Sequence, residues 1–227
     1  MRLSEEHILF EDNHLLIINK PSGILSQGDR TGDPSILDLA KTYIKTKYNK
    51  PGAVFLGLPH RLDRPTSGAL ILCRTSKSLS RVTELFRNKQ IDKIYHAIVI
   101  KLAKEKSSTV TSYLKKNTKL NKAVVKDRPF DDAKSAILHY DYLKERKNRY
   151  LLEVNLETGR PHQIRAQLNF IAMPILGDLK YHHQKPLSDK SIGLHSRKLE
   201  LVHPVTKQSL KIIAAYPKTN WWQVFED

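Results

Sequence analysis

Residues 60–68 read His-Arg-Leu-Asp-Arg-Pro-Thr-Ser-Gly, and Asp63 is the side chain there with the most to offer chemistry. A carboxylate can attack an electrophilic carbon or take a proton from a substrate. Arg61 and Arg64 flank it, and fixed positive charge nearby favours the anion that either role requires. Apolar residues 53–58 lead into this stretch and residues 69–74 lead out, while Pro65 and Gly68 interrupt regular structure between them. The pattern predicts a carboxylate on a loop between two strands. An aspartate that merely caps its own turn is the competing reading, and composition alone favours it.

A second stretch, residues 157–168, reads Glu-Thr-Gly-Arg-Pro-His-Gln-Ile-Arg-Ala-Gln-Leu. A strand ends at Thr158-Gly159, and Pro161 can open a helix. Helical spacing turns Ile164, Leu168 and Ile171 toward the core and groups His162, Arg165 and Asn169 on another face. An arginine near a helix start opposes the positive end of the helix dipole, so a carboxylate or phosphate is expected against Arg165. Residues 93–100 form a β-branched run that places Tyr95 and His96 on opposite faces of a strand. A strand tyrosine is most often packing, although its ring could also stack on a base.

Together these stretches resemble the motifs of the RluA-type pseudouridine synthases, which convert uridine in RNA to pseudouridine. The resemblance rests on Asn19-Lys20-Pro21-Ser22-Gly23, on residues 60–68, and on the Lys-x-Tyr-x-Ala-x-Val of Lys93, Tyr95, Ala97 and Val99. It continues through Gly159-Arg160-Pro161-His162-Gln163-Ile164-Arg165 to residues 193–206, with their His-Pro turn, and so spans nearly the whole chain. It implies that Asp63 is the catalytic residue, that Tyr95 belongs to the same set, and that Arg165 pairs with Asp63. Lys20, His60, Arg61, Arg160 and His162 stand in the same motifs and are the candidate RNA contacts. Arg61, beside Asp63, is the candidate for filling the stack a flipped base leaves behind. The implied fold is α/β: a single catalytic domain over residues 1–227, its mixed, largely antiparallel central sheet flanked by helices. The S4-type RNA-binding domain that many relatives carry at the front is not expected.

The surrounding pattern supplies elements to position these residues. Residues 14–19 read as a strand stopped by Lys20-Pro21-Ser22-Gly23. Asp33 and Pro34 suit the N-cap and first position of a helix bearing Leu37, Ala40, Ile44 and Tyr48 on one face. Ser76 is the predicted cap of a second helix with Leu79, Val82, Leu85 and Phe86 inward. Residues 101–126 hold eight lysines and read as a solvated hairpin or loop, with an RNA contact the even alternative. Residues 133–143 and 150–156 are two strands with a tip at 144–148. His182 and His183 are assigned to a surface loop, and Trp221 and Trp222 to a packing plug.

Charge narrows the partner. With 39 Lys and Arg against 23 Asp and Glu, the formal charge is +16, which calls for a polyanion. No run approaches the ~18 apolar residues of a spanning helix, so RNA or DNA leads and a membrane is not expected as partner. Cys73 is the sole cysteine and suits a reducing, cytoplasmic compartment. The sequence has no Cys-x-x-Cys, His-Glu-x-x-His or Gly-x-x-x-x-Gly-Lys pattern. No metal or cofactor is therefore expected, and a monomer suffices. Isomerising uridine breaks the N1–C1′ bond, turns the base and rejoins it through C5, a task without net electron or phosphate transfer. Two rivals remain. A non-catalytic RNA-binding protein of the same fold would not need Asp63, Tyr95 and Arg165, and a glycosidase would usually need a second carboxylate in a comparable motif. Whether the target is ribosomal or transfer RNA, and whether Asp63 acts as nucleophile or base, both stay open.

Overall fold

The computed structural model describes residues 2–181 and 185–226. Its elements in chain order begin with a 3-10 turn at Glu5–His7, β1 (Ile8–Glu11), β2 (Leu15–Lys20), α1 (Ile36–Lys47), β3 (Ser67–Cys73) and α2 (Ser76–Arg87). Then follow β4 (Ile91–Val99), β5 (Ser107–Asn117), β6 (Lys122–Lys126), β7 (Lys134–Arg146), β8 (Arg149–Leu156) and α3 (Gln163–Phe170). The chain closes with β9 (Leu194–Val202), β10 (Ser209–Ile213) and α4 (Asn220–Gln223). Strands with flanking helices in a mixed, largely antiparallel arrangement are the expected class. Two compact units divide these elements: Met1–Asp92 with Ser196–Ala215, and Lys93–His195 with Tyr216–Asp227.

In the first unit β1, β2 and β3 pair antiparallel in order, β9 lies beside β3, and β10 pairs antiparallel with β9. Leu15 and Ile17 of β2, Ala69, Ile71 and Cys73 of β3, and Val82 of α2 share one apolar cluster with Leu199 and Leu201 of β9. Every residue of β3 is buried, so both its faces are covered and the strand is a fixed support for the loop that precedes it. Gly68 holds φ +111°, and a Cβ there would lie 2.3 Å from the Ser196 carbonyl oxygen, so only glycine lets the chains come this close.

Three expectations for this unit shift. Residues 53–58 form no strand; Gly57 alone makes a bridge, to Cys73. Pro59 ends the run, and a Cβ at Gly57 would stand 2.5 Å from Leu79, so the backbone is pinned against a side chain rather than laddered. The cap of α1 is Ser35, not Asp33, because Asp38 three residues on returns the bond: Ser35 N–H donates to the Asp38 carboxylate at 3.1 Å. Asp33 instead meets Arg64 at 2.8 Å. Thr75 likewise replaces Ser76 as the cap of α2, its hydroxyl accepting from Ser78 N–H at 3.1 Å.

The second unit orders its strands β4-β8-β7-β5-β6, and the registered neighbours run antiparallel. The lysine-rich stretch is the β5–β6 hairpin, and it is only half solvated. Leu114 and Ala123 face Ala136, Ala166 and Tyr181 in a small core, while Lys116 and Lys119 stay outside. The turn at Lys147 and Asn148 has φ of 52° and 57°, the left-handed pair of a tight hairpin. Trp222 packs as the predicted plug, stacked on Tyr216 at 4.8 Å beside Ile98, Leu151 and Phe225. His182 and His183 lie outside the described residues. Among the described residues, no helix is long and apolar enough to cross a membrane.

Candidate active site

Lys20, His60, Arg61 and Asp63 belong to the first unit, and Tyr95, Arg160, His162 and Arg165 to the second. Asp63 is half-buried at the end of an irregular segment, just before a turn closed by Thr66 N–H on the Asp63 carbonyl at 3.0 Å. Arg64 and Pro65 occupy the corner of that turn. The segment is tied from outside at nearly every residue. Leu62 is buried, and its N–H and C=O both bond Ser26 Oγ, at 3.1 and 2.7 Å. Gly23 N–H donates to the Arg64 carbonyl at 2.8 Å, and Arg64 Nε returns a bond to the Gly23 carbonyl at 2.9 Å. The turn after β2 is thus a clamp on the residues on either side of Asp63.

Lys20 completes that clamp, which corrects its reading as an RNA contact. Its side chain is fully buried, with Nζ 2.8 Å from the Pro21 and Ile24 carbonyls and 3.3 Å from that of Arg64. Three acceptors suit an ammonium, since a neutral amine has only two hydrogens. Burial pulls its pKa down to about 7, the negative charge of Asp63 pushes it back up, and Arg64 adds to the lowering. Lys20 therefore serves the loop and the charge of Asp63 rather than a phosphate at the surface.

His60 is half-buried and also ties the loop to its support. Its Nε2 accepts the Ile71 N–H of β3 at 3.0 Å, and its ring lies 4.7 Å from that of Phe86 on α2. A nitrogen that accepts carries no proton, so the ring is placed as a brace where the loop begins. Arg61 is exposed, as a group that meets a large ligand must be.

In the second unit Tyr95 sits on β4, opposite Val154 of β8, and is 8% exposed. Its neighbour His96 points to the other face, where Nδ1 bonds the Tyr216 hydroxyl and Nε2 approaches Glu153 at 3.6 Å. α3 begins at Gln163, later than Pro161 suggests, because His162 takes a left-handed conformation at φ 58°. All residues from Gln163 to Leu168 are buried. Gln163 and Gln167 survive there by bonding backbone, Gln163 Nε2 to Ile137 O at 3.0 Å and Gln167 Nε2 to Ala136 O at 3.0 Å.

The carboxylate expected against Arg165 is present. It is Asp178, a residue sequence reasoning passed over. Arg165 Nε meets Asp178 Oδ2 at 2.7 Å and Nη2 meets Oδ1 at 2.8 Å, with the side chains 5% and 1% exposed. The Tyr181 ring lies under the guanidinium, 5.4 Å from its carbon. The Tyr181 hydroxyl also accepts the Ala123 N–H at 2.7 Å and shares a hydrogen bond of 2.9 Å with His162 Nδ1. Arg160 is half-buried, with Nε on the Ser135 carbonyl at 3.0 Å. Asp178 follows Gly177, which holds φ +76° in the irregular chain beyond α3, and no periodic pattern in the sequence marks it.

Residues 14–170 match the family model described as RNA pseudouridylate synthase. The ribosomal large subunit pseudouridine synthase C of Rickettsia prowazekii is 33% identical over 219 residues, covering 95% of this chain and 70% of that protein. The ribosomal large subunit pseudouridine synthase D of Pseudomonas aeruginosa is 28% identical over 234 residues, covering 96% and 70%. Among solved structures, human RNA pseudouridylate synthase domain containing 4 has a TM-score of 0.77 at 27% identity, covering 94% of this chain and 89% of its own. The motifs read from residues 19–23, 60–68, 93–99 and 159–165 fall within the matched span or at its centre, and the chain belongs to the RluA-type RNA pseudouridylate synthases, isomerases that act on RNA.

Proposed function

We propose that this chain isomerises specific uridines of structured ribosomal RNA to pseudouridine, with Asp63 as the reacting carboxylate. The observation that carries the reading is the clamp on residues 62–64. A turn aspartate needs no such support, whereas a carboxylate that must meet one carbon of a flipped nucleotide does. Ribosomal RNA is favoured over transfer RNA because relatives of this chain are named for the ribosomal large subunit.

Asp63 attacks the nucleotide or takes a ribose proton, the N1–C1′ bond breaks, and the uracil turns until C5 faces C1′. After the new C–C bond forms, C5 gives up its proton and N1 gains one, so atoms and charge balance without a redox partner. Arg165 belongs to the same catalytic set, and its fork to Asp178 fixes the plane of the guanidinium. Tyr95 offers a ring to the turning base, and exposed Arg61 fills the stack that the base leaves. The formal charge of +16 supplies affinity for the RNA backbone. In this reading residues 1–227 work as one catalytic domain, a cytoplasmic monomer that needs no metal or cofactor. The test compares pseudouridine in cellular RNA with the native gene, without it, and with an Asp63→Asn copy. Loss of the same sites in the last two supports the assignment, and their survival with Asp63→Asn refutes it.

A further inference from the structure

We infer that Ser26 is a positioning residue for Asp63, acting through the Leu62 backbone; the inference rests on the catalytic reading of Asp63. Ser26 is 4% exposed, and its hydroxyl has both of its bonds on one residue. It donates to the Leu62 carbonyl at 2.7 Å and accepts the Leu62 N–H at 3.1 Å. A single side-chain atom thus replaces the pair of ladder bonds that a neighbouring strand would make. The replacement is needed there, because residues 61–63 have no secondary structure and the run before them contributes only the bridge at Gly57.

The geometry leaves little freedom at Leu62. Its side chain is 5% exposed, its N–H and C=O are both fixed by Ser26, and the next peptide carries the Asp63 Cα. On the other side, the Asp63 carbonyl is held by Thr66 N–H, and the Arg64 carbonyl by Gly23 N–H and Lys20 Nζ. On the N-terminal side of Asp63, Ser26 is a tie whose two bonds both go to Leu62. Its value is directional: removing it frees the Leu62 peptide to rotate and moves the carboxylate without changing its chemistry.

Alanine at this position leaves a buried N–H and C=O without partners, so some stability is lost as well. Stability and aim are separated by comparing variants. Ser26→Ala is predicted to lower the single-turnover rate on saturating RNA by on the order of 10- to 100-fold, the scale of a small misplacement of a reacting group. RNA affinity is predicted to stay within about twofold, so the loss falls in kcat and not in KM. Ser26→Thr, which keeps the hydroxyl, is predicted to recover most of the rate. Phe225→Leu thins the buried cluster of Ile98, Leu151 and Trp222 in the second unit and lowers the melting temperature away from the loop, and its rate is predicted to stay near wild type. Should Ser26→Ala fail to fold, Ser26→Cys, which keeps the shape but bonds weakly, takes its place. A rate within threefold of wild type for Ser26→Ala or its Cys substitute overturns the inference, and so does an equal loss in Phe225→Leu at matched destabilisation. Asp63→Asn run beside them separates the two claims. If it is inactive while Ser26 proves dispensable, only the role of Ser26 falls; if it turns over, the catalytic reading itself falls.

Discussion

Arg165 and Asp178 form a buried two-bond fork, Nε to Oδ2 at 2.7 Å and Nη2 to Oδ1 at 2.8 Å, across a loop that leaves the end of α3. A guanidinium gripped along one edge cannot rotate, so the direction of its other edge is set by Asp178. Asp178→Asn keeps the shape but leaves a buried positive charge poorly matched. It should cost about 3–5 kcal/mol in urea unfolding, the scale for breaking a buried pair from one side. Arg165→Lys should be milder for stability and severe for catalysis. A point charge cannot reproduce the fork, so the single-turnover rate should fall at every pH while RNA binding persists. Near-wild-type turnover by Arg165→Lys would remove Arg165 from the catalytic set.

Lys20 makes stability depend on pH in a defined window. Its pKa is about 7 in the folded chain, against 10.5 for the ordinary group. Between those values the unfolded chain holds a proton that the folded chain has released, so this residue makes stability rise with pH across the window. Below it, both states are charged and the burial penalty applies in full. Lys20→Met removes the titration, so the difference in unfolding midpoint between variant and wild type should shift in favour of wild type from pH 7 to pH 10. Denaturant titrations at several pH values measure it, and a difference that stays constant contradicts the account.

Tyr95 separates stacking from proton transfer. If its ring holds the turning base, Tyr95→Phe should retain most of the single-turnover rate and Tyr95→Leu should lose on the order of 10-fold or more, the worth of about 1–3 kcal/mol of stacking. If the hydroxyl moves the C5 proton, Phe should be nearly as damaging as Leu, and an intermediate should accumulate in quenched reactions. Wild-type rates for both would place Tyr95 among packing residues.

Much of this was readable before any coordinates. β2, β3 and β4 follow from apolar, β-branched runs, and the hairpin tip at Lys147 and Asn148 from a polar gap between two of them. Reciprocal geometry was harder to read. Asp33 looked like the cap of α1, yet only Ser35 has an acidic partner three residues on, and that bond decides the start. Lys20 and His60 looked like RNA contacts because their residue types bind phosphate. Burial depends on tertiary packing, which local pattern does not report: Lys20 is fully buried, and half-buried His60 has one ring nitrogen on the Ile71 N–H. An anion against Arg165 was foreseeable from its place near a helix start, but Asp178 as one such partner was not, since it sits in an irregular segment with no period to mark it. Ser26 carried no signal at all, because a serine two residues past a turn is unremarkable until Leu62 is found beside it.

The central claim is that Asp63 performs the chemistry and is not merely part of the RNA-binding surface. Its most direct test is tritium release from RNA labelled at uracil C5, under single-turnover conditions with saturating enzyme, comparing wild type with Asp63→Asn. The account predicts release by wild type, none above background by Asp63→Asn, and unchanged RNA affinity for the variant. Release by a clean Asp63→Asn preparation at a rate within tenfold of wild type would contradict it.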